Sequence, residues 1–185
     1  MNENLPEKPP KPSDTGLDED SGGKGGVRLV PGDRAPDFDL LDDAGGKVTL
    51  AGFRGQLLVL YFYPKDDTSG CTKEAIDFDG LRTEFEKAGA AILGVSADSV
   101  ASHVRFKAKH KLEIALGSDD SKAMLMAYGI WAKKSMYGRK YLGIERTTLL
   151  IGKDGKILAV WNKVKVPGHA AAVLAAMKTH WDSVG

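Results

Sequence analysis

Cysteine is scarce in this chain: 185 residues hold one, Cys71. A single thiol excludes any intramolecular disulfide, and with it the disulfide-stapled secreted scaffolds and the C-x-x-C dithiol reductases. An excess of one charge sign is also missing. Lys and Arg number 26 against 25 Asp and Glu, a net charge of +1, so neither nucleic acid nor an anionic membrane is indicated as a partner. No apolar run approaches the roughly 18 residues that a membrane span needs. The segment from Met1 to Glu7 has no basic or apolar signal region, and no arginine precedes Arg28. Neither a secretory nor an organellar leader is expected, and the cytosol is the expected compartment. No Ser/His/Asp arrangement points to a hydrolase.

What is present is an ordinary globular composition, 42% hydrophobic and 28% charged. Residues 1–26 are the exception. They are rich in Pro, Gly, Ser and charge and nearly devoid of large apolar side chains. Such a segment cannot offset its ordering entropy, so a disordered tail is expected over 1–26 and one domain over 27–185. An inert solubilising role suits the tail better than a docking arm.

Within the domain, apolar periodicity alternates between two kinds of element. Phe38 to Leu41 and Lys47 to Leu50 flank a Gly-rich turn and predict a hairpin. Leu57 to Phe62 is continuously apolar, as a strand buried on both faces would be. Phe78, Leu81, Phe85 and Ala88 recur at helical spacing, predicting one amphipathic helix from about Cys71 to a stop at Gly89. A strand over Ala91–Val95 follows, then a helix capped by Asp98-Ser99 and carrying Val104 and Ala108. Next come a short strand near Ile114–Leu116 and a helix near 120–127. Thr147–Ile151 and Lys156–Trp161 flank an Asp-Gly turn, a hairpin signal. Pro167 suits the first turn of a last helix, with Val173, Leu174, Met177 and Trp181 facing inward. The order implies an α/β fold of three layers, a mixed central sheet flanked by helices. It is compatible with a thioredoxin-like core bearing an N-terminal β-hairpin extension.

Cys71 falls where the apolar run passes into the helix. Backbone N–H groups of a first helical turn lack intrahelical partners and favour negative charge. A free thiol with a pKa of about 8.5 is mostly protonated at neutral pH, whereas one at a helix N-terminus can be largely thiolate, the nucleophilic form. Thr68, three residues earlier, can reach the sulfur or a bound oxygen across one turn. Pro64 can form a rigid wall, and Gly70 permits close backbone approach. The same residues also suit a plainer arrangement, with Thr68 or Ser69 as a helix cap, Pro64 ending a strand and Cys71 buried and inert. Composition alone favours that one.

Pro64-x-x-x-Thr68-x-x-Cys71 matches the active-site signature of the peroxiredoxins, and Cys71 aligns with their peroxidatic cysteine. The chain resembles most closely the bacterioferritin comigratory protein, or peroxiredoxin Q, subfamily. Four stretches carry the likeness: 32–38, 61–68, 94–103 and 128–148. The resemblance implies a thiol-dependent peroxidase. Its Cys71 thiolate attacks a hydroperoxide and becomes a sulfenic acid. It implies that Arg146 favours the thiolate and stabilises the departing oxygen, that Thr68 and Pro64 hold and shield the peroxide, and that Glu74 orients a neighbour. Against Glu74, an anion beside a thiolate also raises the thiol pKa. The resemblance leans toward a monomer, though Cys71 could join two chains under oxidation; no cofactor and no metal are expected.

Two departures from the family pattern stand out. Ser69 replaces a frequent Pro, and Ile76 stands where subfamily members commonly carry a resolving cysteine. The resemblance is thus to a one-cysteine peroxiredoxin recycled by an external thiol: thioredoxin, glutaredoxin, glutathione or another low-molecular-weight thiol. A non-enzymatic redox sensor or chaperone on the same fold is the alternative. His103 and His110, seven residues apart, share a helix face but are too distant for a metal pair, and with His169 and His180 they read as solvated or capping. Trp131, Trp161 and Trp181 read as core or rim aromatics. The Lys133-Lys134 and Arg139-Lys140 cluster reads as a solvated face.

Overall fold

The computed structural model describes residues 28–184, and of Met136 and residues 181–184 the backbone only. The tail expected over 1–26 and the side chain of Trp181 lie outside the described residues. The strands are β1 (Asp39–Asp42), β2 (Lys47–Thr49), β3 (Leu57–Phe62), β4 (Ala90–Ser96), β5 (Ala115–Ser118), β6 (Trp131–Met136), β7 (Arg139–Ile144), β8 (Thr147–Ile151) and β9 (Ile157–Trp161). The helices are α1 (Ser69–Gly80), α2 (Arg82–Lys87), α3 (Val100–His110), α4 (Ala123–Ala127) and α5 (His169–Val184).

Seven strands form one mixed sheet in the order β2-β1-β5-β4-β3-β8-β9. β3, β4 and β5 run parallel, joined by helical crossovers, and the remaining pairs are antiparallel. The α/β class, the mixed sheet and the N-terminal hairpin are as the sequence predicts. β3 shows why a continuous apolar run is needed at the centre. Val59 and Tyr61 point into a cluster with Phe78, Phe85, Phe106 and Met177, while Leu58, Leu60 and Phe62 point into a second one with Leu125 and Tyr128. Alternate side chains thus serve opposite cores, each worth about 1.5–3 kcal/mol when fully buried. Where β4 passes beside Tyr61, only glycine fits: a Cβ on Gly94 would lie 2.6 Å from the ring.

Several expectations need correction. The single helix from Cys71 to Ala88 is two, broken at Leu81, where φ −100° and ψ 2° leave the helical region. Gly80 precedes the break, and glycine is a weak helix former. Gly89 does end the second helix, with φ 82°. On α3 the buried residues are His103 and Phe106, whereas Val104 is 48% exposed and Ala108 is also exposed. Pro167 lies just before α5, and Gly168, with φ 75°, separates the two. The hairpin β6–β7 is an element that the apolar periodicity does not predict. Its turn, Tyr137-Gly138, has positive φ at both residues (51° and 75°), the geometry of a two-residue hairpin turn.

Candidate active site

Cys71 is the third residue of α1 and is buried, 1% exposed. The helix's first bond runs from Thr72 N–H to Thr68 C=O, 2.8 Å. The amides of Ser69, Gly70 and Cys71 precede it and have no i−4 partner, so their dipoles converge on the turn that bears the sulfur. Ser69 occupies the first helical position, where proline and serine both fit.

The residue that meets the sulfur comes from 75 positions away. Phe62 at the end of β3 pairs with Thr147 at the start of β8. That register puts Arg146 beside the point where the chain leaves β3 for the 64–68 turn. Its Nη2 donates to Cys71 Sγ at 3.4 Å, and its Nη1 donates to Glu74 Oε1 at 2.9 Å. Gly70 makes room for the guanidinium, since a Cβ there would stand 3.2 Å from Nη2. The group that approaches Gly70 is thus the Arg146 side chain.

Glu74, one turn after Cys71, is 1% exposed, and its second oxygen has no protein partner. Burial pushes its carboxyl up to about 7, against the opposing pull of Arg146. A buried, half-satisfied carboxylate is costly, so burial outweighs the ion pair. The flanking charges push Arg146 above its ordinary range although burial opposes them.

Thr68 caps the helix without a side-chain cap bond, and its hydroxyl donates to Lys65 C=O at 2.9 Å. With its hydrogen engaged, the Thr68 oxygen is left as an acceptor. Both Thr68 and Pro64 are exposed and belong to the rim. The structure thus brings Cys71, Gly70, Glu74 and Arg146 into contact, with Thr68 at the entrance to the helix and Pro64 at the start of the turn.

Two histidines read as solvated are not. His169 is 7% exposed, and its Nε2 lies 2.8 Å from Thr148 Oγ1. Burial, and then the charge of Arg146, hold its pKa down to about 4. His103 is fully buried, with Asp66 Oδ2 2.7 Å from its Nδ1. In the supposed solvated lysine cluster, Lys134 is half-buried, and burial followed by the charge of Arg146 lowers its pKa. The signal available for His103 was its spacing with Phe106 and His110 on one helix face. Among the described residues no group of three or more His, Cys, Asp or Glu is arranged to hold a metal ion, and no helix is long and apolar enough to cross a membrane.

Residues 31–160 match the AhpC/TSA family. The chain is 52% identical over 148 residues to the peroxiredoxin Bcp of Xanthomonas campestris pv. campestris, covering 79% of this chain and 92% of that one. It is 45% identical over 147 residues to the peroxiredoxin Bcp of Bacillus subtilis, covering 80% and 94%. The solved X. campestris bacterioferritin comigratory protein, described for its alkyl peroxide reduction activity, superposes with a TM-score of 0.76 at 47% identity, over 84% of this chain and 98% of that one. With its sequence and its fold in agreement, this chain belongs to the AhpC/TSA family, in its Bcp or peroxiredoxin Q branch of thiol-dependent peroxidases.

Proposed function

We propose that the protein reduces hydrogen peroxide and organic hydroperoxides through a sulfenic acid on Cys71 and is recycled by an external thiol. The observation that carries this reading is the Arg146 Nη2 contact on Cys71 Sγ. A guanidinium held by Glu74 and aimed at a thiol at a helix start complements both the thiolate and the negative charge that develops during attack.

The sulfur displaces the leaving oxygen of the peroxide. An S–O bond forms, the O–O bond breaks, and the departing RO⁻ takes up a proton and leaves as alcohol or water. Cys71 is oxidised to Cys–SOH and the peroxide is reduced. Thr68, as an acceptor, orients the peroxide hydrogen, Pro64 walls the rim, and Gly70 keeps the guanidinium close. Glu74 acts by holding Arg146. With no second cysteine in 185 residues, one external thiol converts Cys–SOH to a mixed disulfide and water, and a second releases Cys71. Glutathione, another small thiol, thioredoxin and glutaredoxin all supply that chemistry. We take the protein to work as a monomer in the cytosol, where such thiols are kept reduced.

The test is peroxide consumption with each thiol in turn. Sustained turnover with at least one, lost in Cys71→Ser, supports the proposal. Stoichiometric oxidation without turnover would favour the sensor reading instead. One observation speaks for that reading: at 1% exposure the sulfur is shielded from a bulky thiol more than from a small peroxide, which lengthens the life of the sulfenic acid.

A further inference from the structure

The turn that carries Pro64 and Thr68 is held from outside the site by α3. Asp66 sits at its centre, and its carboxylate accepts from three donors. Tyr63 Oη donates to Oδ1 at 2.6 Å, Ser102 Oγ donates to Oδ2 at 2.8 Å, and His103 Nδ1 lies 2.7 Å from Oδ2. The Asp66 amide donates in turn to Asp98 Oδ2 at 2.8 Å. His103 Nε2 lies 3.0 Å from the carbonyl oxygen of Gly117 on β5, so the imidazole bridges the sheet to the turn. A carbonyl only accepts, so Nε2 is the ring nitrogen that donates to Gly117.

The neighbouring residue is clamped as well. Asp67 has φ 59°, a left-handed conformation that a non-glycine residue adopts at a cost. Its carboxylate meets Lys109 Nζ at 2.7 Å and His110 Nε2 at 2.8 Å, both on α3. Asp66 and Asp67 are thus fixed immediately before Thr68. None of these α3 groups hydrogen-bonds to Cys71, Glu74 or Arg146, and a buried polar network such as that of Asp66 and His103 is an expensive way to hold a turn that only had to connect two elements.

Resting on the peroxidase reading above, we propose that His103, acting through Asp66, is a positioning residue for the peroxide step: it holds the 64–68 turn so that Thr68 and Pro64 stand in register with the Cys71 sulfur. Its effect falls on the capture and alignment of peroxide and not on the thiol itself.

The experiment compares two reactions of Cys71 in the reduced full-length protein, oxidation by hydrogen peroxide and alkylation by iodoacetamide. Alkylation needs the thiol but not the turn. His103→Asn keeps a donor at the Nδ1 position, facing Asp66. His103→Gln keeps one at the Nε2 position only. The Gln variant should oxidise on the order of ten- to a hundred-fold more slowly, the scale of a misplaced reacting group, with alkylation unchanged. The Asn variant should retain most of the wild-type oxidation rate. Equal rates in wild type and H103Q, parallel losses of both reactions, or equal losses in H103Q and H103N would each overturn the positioning role. If H103Q does not fold, Asp66→Asn, which keeps His103, weakens the same clamp and should slow oxidation selectively; an unchanged rate there overturns the role. A wild-type Cys71 oxidised no faster than a simple thiol would overturn the peroxidase reading itself, an outcome distinct from all of these.

Discussion

Arg146 is the residue on which the site turns, because one guanidinium serves two partners, Cys71 at 3.4 Å and Glu74 at 2.9 Å. Arg146→Ala should slow Cys71 oxidation by roughly a hundred- to a thousand-fold, the usual loss for one preorganised donor, while leaving the circular dichroism spectrum intact. Arg146→Lys should recover little, since a point charge cannot fork to both partners. Gly70→Ala tests the same contact from the other side. Its Cβ, 3.2 Å from Nη2, displaces the guanidinium by a few tenths of an ångström, and oxidation should slow by about ten-fold, again measurable by stopped flow. Much of this was legible from residue identity: Cys71, Thr68, Pro64 and Arg146 carry the family signature. Glu74 was less legible. Its neighbour Arg146 is 72 positions away in sequence, and only the β3–β8 register shows that the two meet.

Among the elements, α1 does the most, since it presents Cys71 in its first turn and exposes Ile76 (45%) further along. Five residues of helix advance about 7.5 Å along the axis and turn well past the sulfur's face, beyond the roughly 7 Å across which a disulfide closes. A cysteine at position 76 could therefore pair with Cys71 only if α1 unwound. Ile76→Cys should lose both free thiols after one equivalent of peroxide and lose helical ellipticity with them. Retention of one free thiol, or of full helicity, would show that α1 resists opening. The elements differ in how readily they could be foreseen. β3 and the β8–β9 hairpin follow from continuous apolar runs and an Asp-Gly turn. The β6–β7 hairpin is not legible in the sequence, because its strands are basic and largely exposed and its turn is Tyr-Gly. α3 is legible as a helix, but its buried face is not: His103 packs inward with Phe106 because Asp66 and Gly117 supply polar partners that no periodicity reveals.

Over the whole molecule, two buried titrating groups act in opposite directions on stability. The Glu74 carboxyl is raised to about 7, so the folded state holds its proton more tightly than the unfolded chain does. That contribution is complete below the unfolded pKa of about 4.3 and is lost as pH rises to about 7. His169 is depressed to about 4, so the folded state prefers the neutral ring. Its contribution is complete above about 6.5 and is lost as pH falls toward 4. The two partly cancel between pH 4.5 and 6.5. Glu74→Gln should remove one side of the balance, so its stability relative to wild type should climb between pH 4.5 and 7 by an amount on the order of 3 kcal/mol at most. Urea denaturation of both proteins across that range measures it. A constant difference would mean that Glu74 is ionised throughout.

The most direct measurement is stopped-flow oxidation of the reduced protein by hydrogen peroxide, with Cys71→Ser as the control. Trp161 provides the optical signal, since it packs edge-on against His169, which packs in turn against Phe78 of α1. Mass spectrometry of quenched samples verifies that the change is one oxygen on Cys71. Oxidation orders of magnitude faster than that of a simple thiol, absent in Cys71→Ser, is the predicted result. A rate no greater than a simple thiol's would contradict the assignment of Cys71, Arg146 and the 64–68 turn as a peroxide-reducing site.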